Sequence, residues 1–144
     1  MNGKITITLV SERQDGHIGD DWKYRVDAKT FNDGLVDEGS LNVAEHILPD
    51  GSDQEPPGPP APLVLDAGAA GSDVLVRLHV DATEVDALVD DHGANSRDVT
   101  IACPGPGEPP GTQEETISVG VMESPVIEGE SAVLKLTFRL SAES

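Results

Sequence analysis

The sequence predicts an all-β protein, or a mainly β one with a single short helix, built as an antiparallel sandwich of about eight strands. Three observations predict it. Apolar residues recur with period two rather than the helical period. The periodic runs are short and are separated by Gly, Pro, Asn and Asp turn signals. The 144 residues are enough for one buried core and few for two, so a single domain over 1–144 is expected.

The first strand is read at Lys4–Ser11, with Ile5, Ile7 and Leu9 on one face and Thr6, Thr8 and Val10 on the other. In Asp21–Phe31 the alternation is cleaner: Trp22, Tyr24, Val26 and Ala28 oppose Lys23, Arg25, Asp27 and Lys29, so one side faces water. Burial of Trp22 and Tyr24 follows from that phase. Asn32-Asp33-Gly34 is a turn, because Asp and Gly tolerate the positive φ a tight hairpin needs. Strand material resumes through Leu35–Val36 and Leu41–Leu48. A proline-rich loop over 49–62 follows, rich in residues without a backbone N–H and therefore extended.

Leu63–Leu65 restarts a strand, and Asp73–Asp81 alternates Val74, Val76, Leu78 and Val80 against Leu75, Arg77, His79 and Asp81. The one helix is expected next, with Asp81 as its cap, Glu84 three residues on, Val85, Leu88 and Val89 at helical spacing, and His92-Gly93 as its end. Three strands complete the fold: Asp98–Cys103, Glu115–Met122 and Ala132–Leu140. A second proline-glycine loop at 104–111 separates the first two. The two proline-glycine loops share composition, but their flanking strands differ in phase, so no internal repeat is read.

Charge narrows the function. Twenty-seven acids oppose nine bases, a formal charge of −18, and the acids divide evenly between the two halves of the chain. An evenly acidic surface repels phosphate backbones and anionic lipid, which argues against nucleic acid and direct membrane binding. It favours cations or a protein partner with a basic surface. Adaptation to high salt is a second explanation, because salt screens the self-repulsion. Cys103 is the single cysteine, so no internal disulfide is available, and its strand phase predicts a buried thiol. The opening residues carry no apolar leader, and no apolar stretch approaches the length of a membrane span. A soluble, cytoplasmic protein is the expectation.

The segment with the most specific pattern is Asp15-Gly-His-Ile-Gly-Asp-Asp-Trp-Lys-Tyr-Arg-Val26. Three carboxylates on a glycine-containing loop can converge on a hard cation, since calcium takes six to eight oxygen ligands in flexible geometry. The segment resembles the first calcium-binding loop of C2 domains, which are calcium-binding β-sandwiches. The resemblance matches Asp15 and Asp21 to that loop's bridging carboxylates and is confined to residues 15–26. It implies further acids from a later loop, sought in Asp90, Asp91 and Asp98 within 89–98. The expected calcium ligands are therefore Asp15, Asp20, Asp21, Asp90 and Asp98.

Other chemistry is poorly served. His17, His46, His79 and His92 show no close pair, which argues against zinc, although His17 and His92 both lie in the acidic loops. No nucleophile elbow, phosphate loop or dinucleotide fingerprint is present. The expectation is a non-enzymatic acidic binding module, its calcium dependence carried by two loops. The rivals are a structural subunit of a larger assembly, with copies meeting at strand edges, and a metal-dependent hydrolase.

Overall fold

A computed structural model of the chain describes residues 2–16, 18–58, 60–86, 90–122 and 131–144. It contains β1 (Asn2–Asp15), β2 (Asp21–Phe31), β3 (Leu35–Ile47), β4 (Leu63–Ala69), β5 (Asp73–Glu84), β6 (Asp91–Ala102), β7 (Gly111–Met122) and β8 (Ser131–Glu143). Two four-stranded antiparallel sheets result, ordered β4-β1-β8-β7 and β3-β2-β5-β6. The all-β sandwich expected from the alternation is what the chain forms. No helix occurs among the described residues, and none is long and apolar enough to cross a membrane.

The inner faces of both sheets supply one aliphatic core. Ile5, Ile7 and Leu9 of β1, Leu134, Leu136, Phe138 and Leu140 of β8, and Ile117, Val119 and Val121 of β7 come from the first sheet. From the second come Trp22, Tyr24, Val26 and Ala28 of β2, together with Val74, Val76, Leu78, Val80 and Ala82 of β5. Period two puts every second side chain on the same face, so strands whose apolar residues alternate can meet only face to face. Cys103 is a buried free thiol. Gly3 lies against it so closely that a Cβ there would sit 2.1 Å from Sγ.

The short helix expected between Asp81 and His92 is corrected. Asp81–Glu84 continue β5, each residue paired on one side with β2 and on the other with β6. His92 and Gly93 belong to β6, opposite Thr83 and Ala82. Leu88 and Val89, on which the helical spacing rested, lie outside the described residues. The local capping signal lost to two flanking strands, because cross-strand pairing on both sides satisfies more backbone groups than two turns of helix would. The segment 90–98, read as a loop, is likewise mostly strand.

A second departure comes from a register shift in β1. Its pairing with β8 slips between Leu9 and Ser11, so one residue is unpaired and the phase inverts. Beyond it Glu12 and Gln14, rather than their odd-numbered neighbours, point inward and are fully buried. Gln54 and Asp50 of the segment between β3 and β4 form bridges to Glu12 and Gln14, laying the first part of the proline-rich loop along β1.

Candidate metal centre

Glu84 closes β5 and Asp91 opens β6, and the hairpin register sets the two directly opposite each other. Glu84 is in phase with Val74 through Ala82, and Asp91 with Val99 and Ile101. Both carboxylates therefore point to the core side at one end of the sandwich. They are 3% and 1% exposed. Asp86, exposed in the connection, brings a third carboxylate, and one oxygen from each of the three lies within 4.8 Å of the others.

The loop joining β1 to β2 lies over this group. Gln14 holds it by donating from Nε2 to the carbonyls of Gly19 (3.0 Å) and Leu48 (2.8 Å). The Trp22 indole N–H also donates to the Gly19 carbonyl (3.2 Å). The Asp21 backbone carbonyl accepts the backbone N–H of Val85 at 2.7 Å, tying the loop to the hairpin that carries the acids. Gly19 sits directly against it: a Cβ would lie 1.8 Å from Glu84 Oε1, so any larger residue must displace the Glu84 side chain.

The electrostatics follow from burial. The Glu84 carboxyl is pushed up to about 7, first by desolvation, then by a hydrogen bond with Asp91, and then by the negative charges of Asp91, Asp86 and Asp21. Its Oε2 is buried and accepts no hydrogen bond from any described residue. A buried carboxylate oxygen without a donor is costly, and a cation or a proton relieves that cost. The donor set is all oxygen, which suits a hard ion such as calcium and does not suit zinc or copper.

The structure places the five expected ligands in two groups. Asp21 opens β2 close enough for its charge to act on Glu84, Asp20 precedes it, and Asp90 accepts the Asp86 backbone N–H at 3.1 Å. Asp15 is instead held by Lys135 (2.8 Å) and Arg13 (2.7 Å), which keep its carboxyl below the usual carboxylate range. Asp98 lies mid-strand opposite Arg77, bonded at 2.8 and 3.1 Å, and is lowered in the same way. Glu84 and Asp86 are not among the ligands the sequence predicts, and neither is Asp91, though it lies in the second acidic segment. The readable signal was an acid in the inward phase of an apolar strand. The helical reading of Asp81–Gly93 hid it.

The histidines do not join this group among the described residues. His17 lies outside them. His92 is on the outer face of β6, its Nδ1 3.1 Å from Thr83 Oγ1. His46 belongs to a separate buried cluster in which Glu12 accepts the Tyr24 hydroxyl (2.7 Å) and meets His46 Nε2 (2.5 Å). His46 Nδ1 lies 2.8 Å from the Ala44 carbonyl, which only accepts, so that nitrogen carries a proton. Both ring nitrogens are thus engaged. The cluster joins β1 of one sheet to β2 and β3 of the other. Burial, followed by the charge and hydrogen bond of Glu12, raises Tyr24 far above the usual phenol range.

No protein-family model matches the chain, and no curated protein matches it either.

Proposed function

We propose that the chain is a non-enzymatic binding module that takes a calcium ion at the end of its sandwich. Glu84, Asp86 and Asp91 would be the central ligands, with Asp20, Asp21 and Asp90 around them. The observation that carries this reading is the buried Glu84 Oε2, which lacks a hydrogen-bond donor within a group of three carboxylates. Calcium's tolerance for irregular oxygen coordination fits acids contributed by a hairpin and a crossing loop. Binding neutralises part of an acidic end of a chain of charge −18. The altered end is then the surface offered to a protein partner with a basic face, whose approach the surrounding acids favour.

Calorimetric titration of the full chain with calcium tests the reading. Binding is expected, and Glu84→Gln with Asp91→Asn abolishes it. Asp15→Asn with Asp98→Asn leaves it intact, since those carboxylates are already paired with cations. Absence of any heat of binding, or loss of binding on the second pair of substitutions alone, would dispose of the proposal.

A further inference from the structure

A different part of the molecule, the free edge of β6, has the properties of an interface. β6 makes an unbroken antiparallel register of residues 91–102 with β5, with no bulge, and it is the last strand of its sheet. Residues 94–98 are all exposed, although β7 of the facing sheet runs alongside, its Gly120 carbonyl against Gly93 and its Gly111 against the Ala102 carbonyl. Cys103 exchanges backbone hydrogen bonds with Ser72 and Gly71 on the β5 side, which sets the alternation: odd-numbered residues bond inward and even-numbered ones turn outward. The Ser96 N–H accordingly turns to the edge, where the neighbouring Asn95 Oδ1 accepts it at 2.9 Å. The inward-phase side chains lean away from that edge, Asn95 donating to the Ser118 carbonyl (2.8 Å) and Arg97 pairing with Glu115 (2.9 Å), both of β7.

The usual protections of an edge are missing from β6. It has no lysine, proline or bulge, and between His92 and Ala102 its charged residues are Arg97 and Asp98, which cancel. The other edges of this acidic chain are defended. β3 carries Asp37, Glu38 and Glu45, β7 carries Glu114 and Glu115, and β4 is a seven-residue strand bearing Asp66. Each of those edges adds acidic side chains to a chain already strongly acidic. Between His92 and Ala102, β6 adds no net charge.

From this we infer that a second copy of the chain pairs with β6, antiparallel and two-fold symmetric, joining two four-stranded sheets into one of eight strands. An antiparallel pair centred on Asn95 sets Asp98 opposite His92 of the second copy and Ser96 opposite Ala94. One centred on Ser96 sets Asp98 opposite Ala94 and Arg97 opposite Asn95. Neither register opposes like charges. Pairing along one strand buries little area, so the dimer is weak and concentration-dependent. It also strengthens with salt, which screens repulsion between two strongly acidic bodies.

Sedimentation velocity on the full chain, from low to high micromolar and at low and high salt, tests the inference. A dimer is expected to grow with both variables, with the Ala94 and Asp98 amides exchanging hydrogen more slowly as it forms. Ala94→Glu with Ser96→Glu places acids opposite acids in both registers and leaves the buried face untouched. This variant is expected to remain monomeric, with an unchanged circular dichroism spectrum. A monomer under every condition overturns the inference. So does a dimer that the variant leaves intact, which would show that copies meet elsewhere. Neither result depends on calcium.

Discussion

Replacing Glu84 with Gln is expected to stabilise the calcium-free protein above neutral pH, the reverse of what substitution of a buried, hydrogen-bonded residue usually does. In the folded chain Glu84 holds its proton up to about 7, against 4.5 when unfolded. The folded state therefore binds more protons than the unfolded state between those values, and stability falls as pH rises through them. This contribution is fully present below about 4.5 and gone above about 7. At about 1.4 kcal/mol per tenfold change in proton affinity, the loss is at most about 3 to 4 kcal/mol. Gln keeps the shape, can donate to Asp91, and never ionises. Urea unfolding in the presence of a chelator should therefore show wild type and Glu84→Gln close together at pH 4, with the variant ahead at pH 8. The gap matters more than either curve, because the other carboxylates titrate in both proteins and cancel from it. Calcium should reverse the order at pH 8, since an ion bound to the folded state alone stabilises wild type by mass action. A gap independent of pH, or a variant that is the weaker at pH 8 without calcium, would refute the electrostatic account of this site.

Three further outcomes test the architecture around it. Gly19→Ala places a methyl group on Glu84 Oε1. It should cost about 1 to 3 kcal/mol in thermal or urea unfolding and weaken calcium binding seen by calorimetry. His46→Ala removes the Nε2 partner of the buried Glu12 carboxyl. A loss of about 1 to 3 kcal/mol is expected, measured by urea unfolding, with calcium binding retained because no proposed ligand is removed. Cys103, packed against Gly3 and 3% exposed, should resist a thiol reagent in the native protein and react at once in denaturant.

Much of this molecule was legible in the order of its residues. Alternation in β2, β5, β7 and β8 identified the sandwich and the inward positions of Trp22, Val76, Val119 and Phe138, because a period of two has only one buried solution. Asn32-Asp33-Gly34 announced its hairpin, and Asp33 (φ 58°) and Gly34 (φ 112°) do adopt positive φ there. The even distribution of acids gave the character of the surface. What the sequence left undecided was which acids meet. The four residues Asp81–Glu84 read equally as the start of a helix and as the continuation of a strand, and flanking strands far away in sequence made the choice. That choice turned Glu84 from a helix-capping residue into a buried carboxylate opposite Asp91. One unpaired residue in β1 similarly inverted the phase beyond Leu9 and buried Glu12 and Gln14, which local alternation would have left in water. Asp15 and Asp98 had the composition of ligands, and tertiary pairing with Lys135, Arg13 and Arg77 committed them elsewhere. Periodicity is a local property of the chain, so the sequence determined the fold class. Partnership among charges depends on contacts between strands distant in sequence, so only the assembled sandwich decided the site.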